Sequence, residues 1–342
     1  MTQERQGRFC VAEQGIGMPK VLVTGVAGFI GSAIVRELIR EFGSARGLDD
    51  FSTGKPENIA ELKGSLEFHQ VSLLDPAGLS AACKGVDCIF HQAALPSVPK
   101  SVIEPRLTHD VNVNGTLNLL LAARDAGVKR VIYAASSSAY GESQVLPKHE
   151  EMVPHPISPY AVQKLTGEHY MHAFAKVYGL ETVSLRYFNV FGPRQDANSQ
   201  YSGVLAKFIT NMLAAKSPTI HGDGEQSRDF TFVENAVRAN LLASEAPAAE
   251  VSGKMFNVAT GARYSLNQTY KILQNIIGYS GDAQYGPPRV GDVKHSLADI
   301  SLAQKHLKYS PKVGFEEGLR RTVEWYRATS PEPVKEQLAA SK

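Results

Sequence analysis

Long apolar runs are absent from this 342-residue sequence. No stretch of about 18 or more hydrophobic residues occurs, so no membrane-spanning helix is expected. Cysteine is scarce: Cys10, Cys83 and Cys88 are the only three, odd in number and without metal-ligand spacing. That pattern speaks against a disulfide framework or a zinc site and for reduced thiols in the cytoplasm, with Cys83 and Cys88 read as core packing. Neither sign of charge dominates. Lys and Arg total 36 against 34 Asp and Glu, a formal charge of +2, which removes the electrostatic reason to expect nucleic acid or a membrane surface as partner. Residues 1–18 lack the continuous apolar segment of a secretory signal and read as a flexible extension; residues 329–342 read as a flexible tail.

What is present is a balanced composition, 43% hydrophobic and 20% charged, able to bury a sizeable core. From Lys20 to about Val190 short apolar strands (KVLVTG, ARGLDD, LEFHQV, DCIFHQAA, RVIYAASS, TVSLRYFNV) alternate with helical stretches near Ile30–Phe42, Leu79–Lys84, Leu107–Ala126 and Pro159–Tyr178. This alternation predicts an α/β fold with a doubly wound parallel sheet. Beyond Gly192 the strands shorten and scatter (PTIHGDG, DFTFV, KMFNVAT, AQYG). Residues 19–192 are therefore expected to form the main domain, with some later segments returning to it, and residues 193–328 a smaller mixed α/β lobe over the sheet's carboxyl edge.

The first strand runs into Gly25-Val-Ala-Gly28-Phe29-Ile30-Gly31. Glycines let backbone approach a pyrophosphate, and the following helix offers its N-terminal amides and positive dipole end. Asp49 and Asp50 close the second strand at about the ~20-residue distance where a carboxylate meets the ribose of a dinucleotide. Asp49 is the expected ribose ligand, and a carboxylate there repels a 2′-phosphate, which favours NAD over NADP. The main domain thus reads as a Rossmann-type NAD-binding unit.

A redox site is written in two further stretches. Strand RVIYAASSS ends in Ser136, Ser137 and Ser138, at the edge where ligands sit in such sheets. Tyr160 and Lys164, in SPYAVQK, lie one helical turn apart on one face. An ammonium beside a phenol favours phenolate, so the Tyr160 pKa is expected to fall. Such a phenolate can take a proton from an alcohol while Ser136 holds the alcohol oxygen. His91, in HQAA, reads as a strand-end packing residue.

TGVAGFIGS, HQAA, VNGT, SSSAYG, SPYAVQK, RYFNVFGPR, GDGEQSRDFTFV and RVGDVKHS, spread over about residues 19 to 328, resemble the extended short-chain dehydrogenase/reductase superfamily. Within it the chain is similar to the UDP-hexose 4-epimerases, bacterial UDP-N-acetylglucosamine 4-epimerases in particular. The resemblance implies NAD as cofactor, with Phe29, Ile30, Ala93, Asn112 and Tyr187 near it and Ser72 and Leu73 at the adenine in place of the aspartate many relatives carry there. Dehydratases of the superfamily place an Asp-Glu pair after the first Ser or Thr of this strand, and decarboxylases a glutamate two residues after it. Ser137 and Ser138 occupy those positions, and hydroxyls cannot supply the acid and base of an elimination. The expected reaction is epimerisation at C4 of a UDP-sugar. By the same resemblance Arg228 and Arg289 would grip the diphosphate, Asp292 a ribose and Asn189 the diphosphate–sugar region, while Pro96, Ser97, Ser137 and Ser138 would line the sugar pocket. Ser296 takes a gate position where a tyrosine would bar N-acetylated sugars, which points to UDP-GlcNAc/UDP-GalNAc and leaves UDP-Glc/UDP-Gal open. The alternatives are a UDP-glucuronate 4-epimerase, with Lys100 the one nearby cation for the carboxylate, and a non-catalytic NAD or nucleotide-sugar sensor. A homodimer through a four-helix bundle of Leu107–Ala126 and Pro159–Tyr178 is also implied, with Leu119, Leu120 and Leu121 compatible with it and equally with packing on the sheet.

Overall fold

The structure, a computed structural model, describes residues 20–197, 203–288 and 294–329. β1 (Val21–Thr24), β2 (Ala45–Asp49), β3 (Leu66–Gln70), β4 (Cys88–His91), β5 (Arg130–Ser136) and β6 (Glu181–Tyr187) join the Lys254–Val258 strand in one seven-stranded sheet. Its order is Lys254–Val258, β6, β5, β4, β1, β2, β3, and every neighbouring pair is parallel. Strand order reverses between β1 and β4, which opens a crevice at their carboxyl ends, the place where such sheets bind ligands.

The strands alternate their side chains between two cores, as the pleat requires. Val21, Val23, Phe90 and Ile132 face α1 (Phe29–Phe42) and, later in the chain, the helix Val233–Glu245. Leu22, Ile89, Val131 and Tyr133 face the opposite layer, built from α2 (Pro76–Cys83), α5 (Gly115–Asp125) and α6 (Pro159–Tyr178). Between α2 and α5 lie the short helices α3 (Val98–Ile103) and α4 (Pro105–His109). α7 (Val204–Leu213) belongs to a third core around Phe191, Phe208, Phe230, Phe232 and Phe315. The Val233–Glu245 helix is α8. Cys83 and Cys88 are buried thiols in the cores, as expected of packing residues.

Local chemistry sets the helix ends. The Ser158 hydroxyl accepts from the Ala161 amide at 3.2 Å, Pro159 fills the first helical position of α6, and Gly179 closes it at φ 70°. Asp75 caps α2 by accepting from the Ala77 and Gly78 amides.

One expectation, that later segments return to the main domain, is made specific, and another changes. KMFNVAT, read among the scattered strands after Gly192, is the edge strand of the main sheet, in register with β6 from Val183 to Tyr187. The single helix expected over Leu107–Ala126 is instead α4, a π-helical turn Asp110–Asn114, and α5. In that widened turn Asn112 bonds both the amide and the carbonyl of Leu95, a side-chain tie that hydrophobic periodicity does not reveal.

Candidate active site

The glycine loop is as tight as its sequence demands. Gly25 sits at φ 66°, and a Cβ there would lie 2.7 Å from the Ala93 amide nitrogen. A Cβ on Gly31 would lie 2.1 Å from the Gly25 carbonyl oxygen, so α1 crosses the loop only because that position has no side chain. α1 begins after Gly28 with no side-chain cap and no acid in its first turn, leaving its amides and dipole to an outside anion. Asp49, 7% exposed, accepts from the Ala27 amide at 2.9 Å and the Phe51 amide at 2.8 Å. Burial raises its pKa against the pull of those amides. Asp49 therefore braces the loop from behind while also lining the cleft in front of it.

That cleft, about 550 Å³, collects Gly25, Gly28, Phe29, Ile30, Gly31, Asp49, Leu73, Ala93, Pro96, Ser97, Tyr160, Lys164 and Tyr187. An elongated space walled by side-chain-free backbone at one end, with a carboxylate at the ribose position, fits a dinucleotide.

Ser136 at the end of β5, and Ser137 and Ser138 just after it, lie outside the lining of both clefts; beside Tyr160 the Ser136 and Ser138 hydroxyls form a directed chain. Ser138 donates from its hydroxyl (2.9 Å) and from its amide (3.2 Å) to the Ser136 Oγ. The Ser136 hydrogen is thereby left for Tyr160, and this bond lowers the phenol pKa. Burial is the larger effect and pushes Tyr160 up to about 12. The expected lowering by Lys164 is not what the chain itself does. Lys164 Nζ donates to the Ala134 carbonyl at 2.9 Å and sits 4.8 Å over the Tyr133 ring, and burial, offset in part by Glu168, takes its pKa down to about 8. Glu168 in turn is held by a buried two-point ion pair with Arg186, at 2.9 and 2.7 Å. The Tyr160 amide donates to the Ser101 hydroxyl, which ties α6 to α3 beside the reacting groups. His91 is no base. Bonded to Thr24 at 2.8 Å and Thr116 at 3.1 Å and buried beside Lys164, it is held neutral, its pKa depressed to about 3.

The remaining expected residues divide. Asn189, in left-handed backbone at φ 37°, and Arg228 line a second cleft of about 420 Å³, which shares Gln195 and Gly203 with the first. Arg228 donates to the carbonyls of Ser227 and Lys294, at 3.0 and 3.1 Å. The Ser296 amide donates to the Ser227 carbonyl at 2.9 Å, which places Ser296 beside Arg228 although it is not part of either cleft's lining. Ser72 is outside the lining too; its hydroxyl accepts from the Leu74 amide. Asn112 lies behind the wall, spent on Leu95 and on Gln163, to which it donates at 2.9 Å. Arg289 and Asp292 lie outside the described residues.

Three groups escaped sequence reasoning. Lys55 and Asp196, 2.9 Å apart, pair across loops that both line the first cleft. Asp229, fully buried, accepts from the Thr260 amide and hydroxyl, the Gly261 amide and the Ala298 amide, at 2.7 to 3.3 Å. Gln92 lines the first cleft. Only Asp229 and Gln92 had a signal, through the SRDF and HQAA stretches.

A glycine-cradled cleft at the switch point of a parallel sheet, lined by a tyrosine and a lysine and with a serine bonded to that tyrosine, defines a dinucleotide-dependent enzyme working on an alcohol or carbonyl. The chain belongs to the NAD dependent epimerase/dehydratase family, whose profile matches residues 21–259. It is 39% identical over 316 residues to UDP-glucose 4-epimerase of Mycolicibacterium smegmatis, covering 91% of this chain and 99% of that one. Among solved structures it is similar to UDP-N-acetylglucosamine 4-epimerase from Methanobrevibacter ruminantium in complex with UDP-N-acetylmuramic acid. There the identity is 42% and the TM-score 0.87, over 91% of this chain and 98% of that one. UDP-glucuronic acid 4-epimerase from Bacillus cereus in complex with UDP-glucuronic acid and NAD matches at 33% identity and TM-score 0.83, over 90% and 99%.

Proposed function

We propose that this enzyme, a UDP-sugar 4-epimerase, interconverts UDP-GlcNAc and UDP-GalNAc, and also accepts UDP-Glc and UDP-Gal. The observation that carries the reaction type is the Ser138–Ser136–Tyr160 chain, in which hydroxyls stand where an elimination would need carboxylates. NAD, when bound, supplies the hydride acceptor and then the hydride donor. Ser136 orients the sugar C4 hydroxyl. Tyr160, ionised by the positive charge that Lys164 and the bound oxidised nicotinamide would set beside it, takes the hydroxyl proton as a phenolate and later returns it to the oxygen of the opposite epimer. Lys164 supplies positive charge nearby. Between the two transfers the 4-keto sugar must turn over, so the nucleotide has to stay anchored; the second cleft, with Arg228 and Asn189, suits that anchor. The small Ser296 supports the acetylated substrate, since it would leave room for an acetamido group. The buried thiols and the substrate class support a cytoplasmic enzyme.

UDP-glucuronate is the second reading, favoured by Lys100 in the lining of the cleft next to Ser97. Incubation with each UDP-sugar in turn, without added NAD and followed by NMR, separates the two. UDP-GalNAc should form from UDP-GlcNAc; conversion of UDP-glucuronate alone overturns the substrate, and conversion of neither revives the sensor. Ser296→Tyr is expected to cut turnover of acetylated sugars at least about tenfold more than that of UDP-Gal. Equal effects on both would remove the gate.

A further inference from the structure

Gln92 stands at the carboxyl end of β4, in a stretch whose glutamine the mechanism does not use. Its amide belongs to a closed ring of hydrogen bonds with Asn240 on α8 and Tyr187 at the end of β6. The direction of that ring follows from a single carbonyl. Asn240 Nδ2 donates to the Ala236 oxygen at 2.8 Å, and a carbonyl can only accept, so the Asn240 amide has one orientation. Its second Nδ2 hydrogen goes to Tyr187 Oη at 2.6 Å. Asn240 Oδ1 then accepts from Gln92 Nε2 at 3.2 Å, which orients Gln92 in turn. Gln92 Oε1 therefore faces Tyr187 Oη, whose hydrogen closes the ring at 3.3 Å.

Two consequences follow for the cleft, which Gln92 and Tyr187 line and behind which Asn240 is fully buried. The Tyr187 hydrogen is committed, so that phenol offers a ligand its ring and no proton; burial, pushing its pKa up to about 12, keeps the hydrogen in place. Gln92 spends one N–H on the ring and keeps the other.

We propose that Gln92 is a ligand-binding residue of the first cleft, donating its second N–H to an oxygen of the bound dinucleotide, and that Asn240 is the positioning residue that fixes its orientation, directly through Oδ1 and around the ring through Tyr187. This rests on the reading of the cleft as the NAD site, and the experiment keeps the two apart. Purified wild-type protein is assayed for NAD content and for NAD release after gel filtration; absence of NAD binding in the wild type refutes the cofactor reading beneath the proposal. Gln92→Met, of similar length but without the amide, is expected to release NAD about tenfold faster, the worth of one lost hydrogen bond, and to melt a few degrees lower, because Asn240 Oδ1 and the Tyr187 hydroxyl each lose a partner. Gln92→Glu, which sets an acceptor against Asn240 Oδ1, should do at least as much. The double variant Gln92→Met/Tyr187→Phe should be no worse than Gln92→Met, because the two share one ring. In the wild type the Tyr187 hydroxyl hydrogen should exchange slowly enough to be seen by NMR, and Gln92→Met should abolish that signal. Wild-type release rates in both Gln92 variants, additive losses in the double variant, or a Tyr187 signal unaffected by Gln92→Met each overturn the proposal.

Discussion

Burial sets the protonation of both groups at the reacting end of the cleft. It lifts Tyr160 to about 12 and lowers Lys164 to about 8, so the chain alone holds a neutral phenol next to an easily deprotonated ammonium. Tyr160 and Lys164 are also expected to touch the cofactor, but Tyr160→Phe removes the proton-transfer hydroxyl while leaving the glycine loop and Asp49 intact. Turnover is expected to fall roughly 10²- to 10⁴-fold while NAD stays bound, and a fully active variant would falsify the role. For Lys164 the sign of the stability effect is opposite to that of a paired lysine. Its folded pKa lies below the ordinary 10.5, so between about 8 and 10.5 the unfolded chain holds more protons and stability rises with pH. Below about 8 the cost of burying the charge is present in full. Lys164→Met should therefore be more stable than wild type near neutral pH, by up to about 3 kcal/mol less the lost bond to Ala134, with the difference shrinking toward pH ~10. Urea unfolding at several pH values measures it; a variant less stable at neutral pH contradicts the assignment. Its turnover should be lost, as happens when stability and activity compete at one residue.

Elements carrying their own chemistry were legible from sequence, and those defined by distant partners were not. The β1–α1 turn could be read because glycine is needed for backbone approach at Gly25 and Gly31, and α6 because Ser158, Pro159 and Gly179 mark its ends. Lys254–Val258 looks like any short strand; only its pairing with β6 makes it part of the main sheet. The π turn around Asn112 depends on a loop seventeen residues earlier in the chain. Asp229 shows the same limit from the functional side. In sequence it is the residue after Arg228; in space it ties the short strand Ser227–Arg228 to the turn after the Lys254–Val258 strand and to Ala298, two residues beyond Ser296. Asn189 also donates to its carbonyl, at 3.1 Å. Asp229→Asn keeps the shape but turns an NH₂ toward donors, and should cost about 2–3 kcal/mol in urea unfolding. Since Arg228, Asn189 and Ser296 are all held through this knot, KM for the UDP-sugar should rise with kcat within about twofold. Unchanged stability and KM would show that the knot positions nothing.

At the scale of the whole molecule, the helical layer that carries Tyr160 is also the layer with uncovered apolar surface. Leu119 and Leu120, compatible from sequence with an outward-facing interface, are fully buried against the sheet. Outward-facing instead are Val102 (62% exposed) and Ile103 (68%) on α3, Leu107 (42%) on α4 and Val162 (49%) on α6. Covering a side chain of that size is worth roughly 1.5–3 kcal/mol, so a second copy packed on these helices would be held by the group together. We infer that a homodimer forms on this face, as the resemblance to the epimerases implies, with α6 central to the bundle and α3 and α4 contributing more of the contact than α5. A partner there would bear on the reaction as well as on assembly, because Val162 is two residues from Tyr160, and the Ser101 hydroxyl of α3 accepts from the Tyr160 amide. Sedimentation of the wild type at micromolar concentration should give twice the chain mass. Ile103→Asp/Val162→Asp should sediment as a folded monomer with several-fold lower turnover, the loss reflecting an α6 amino end no longer clamped from outside. A monomeric wild type, or a double variant that remains dimeric, removes this interface.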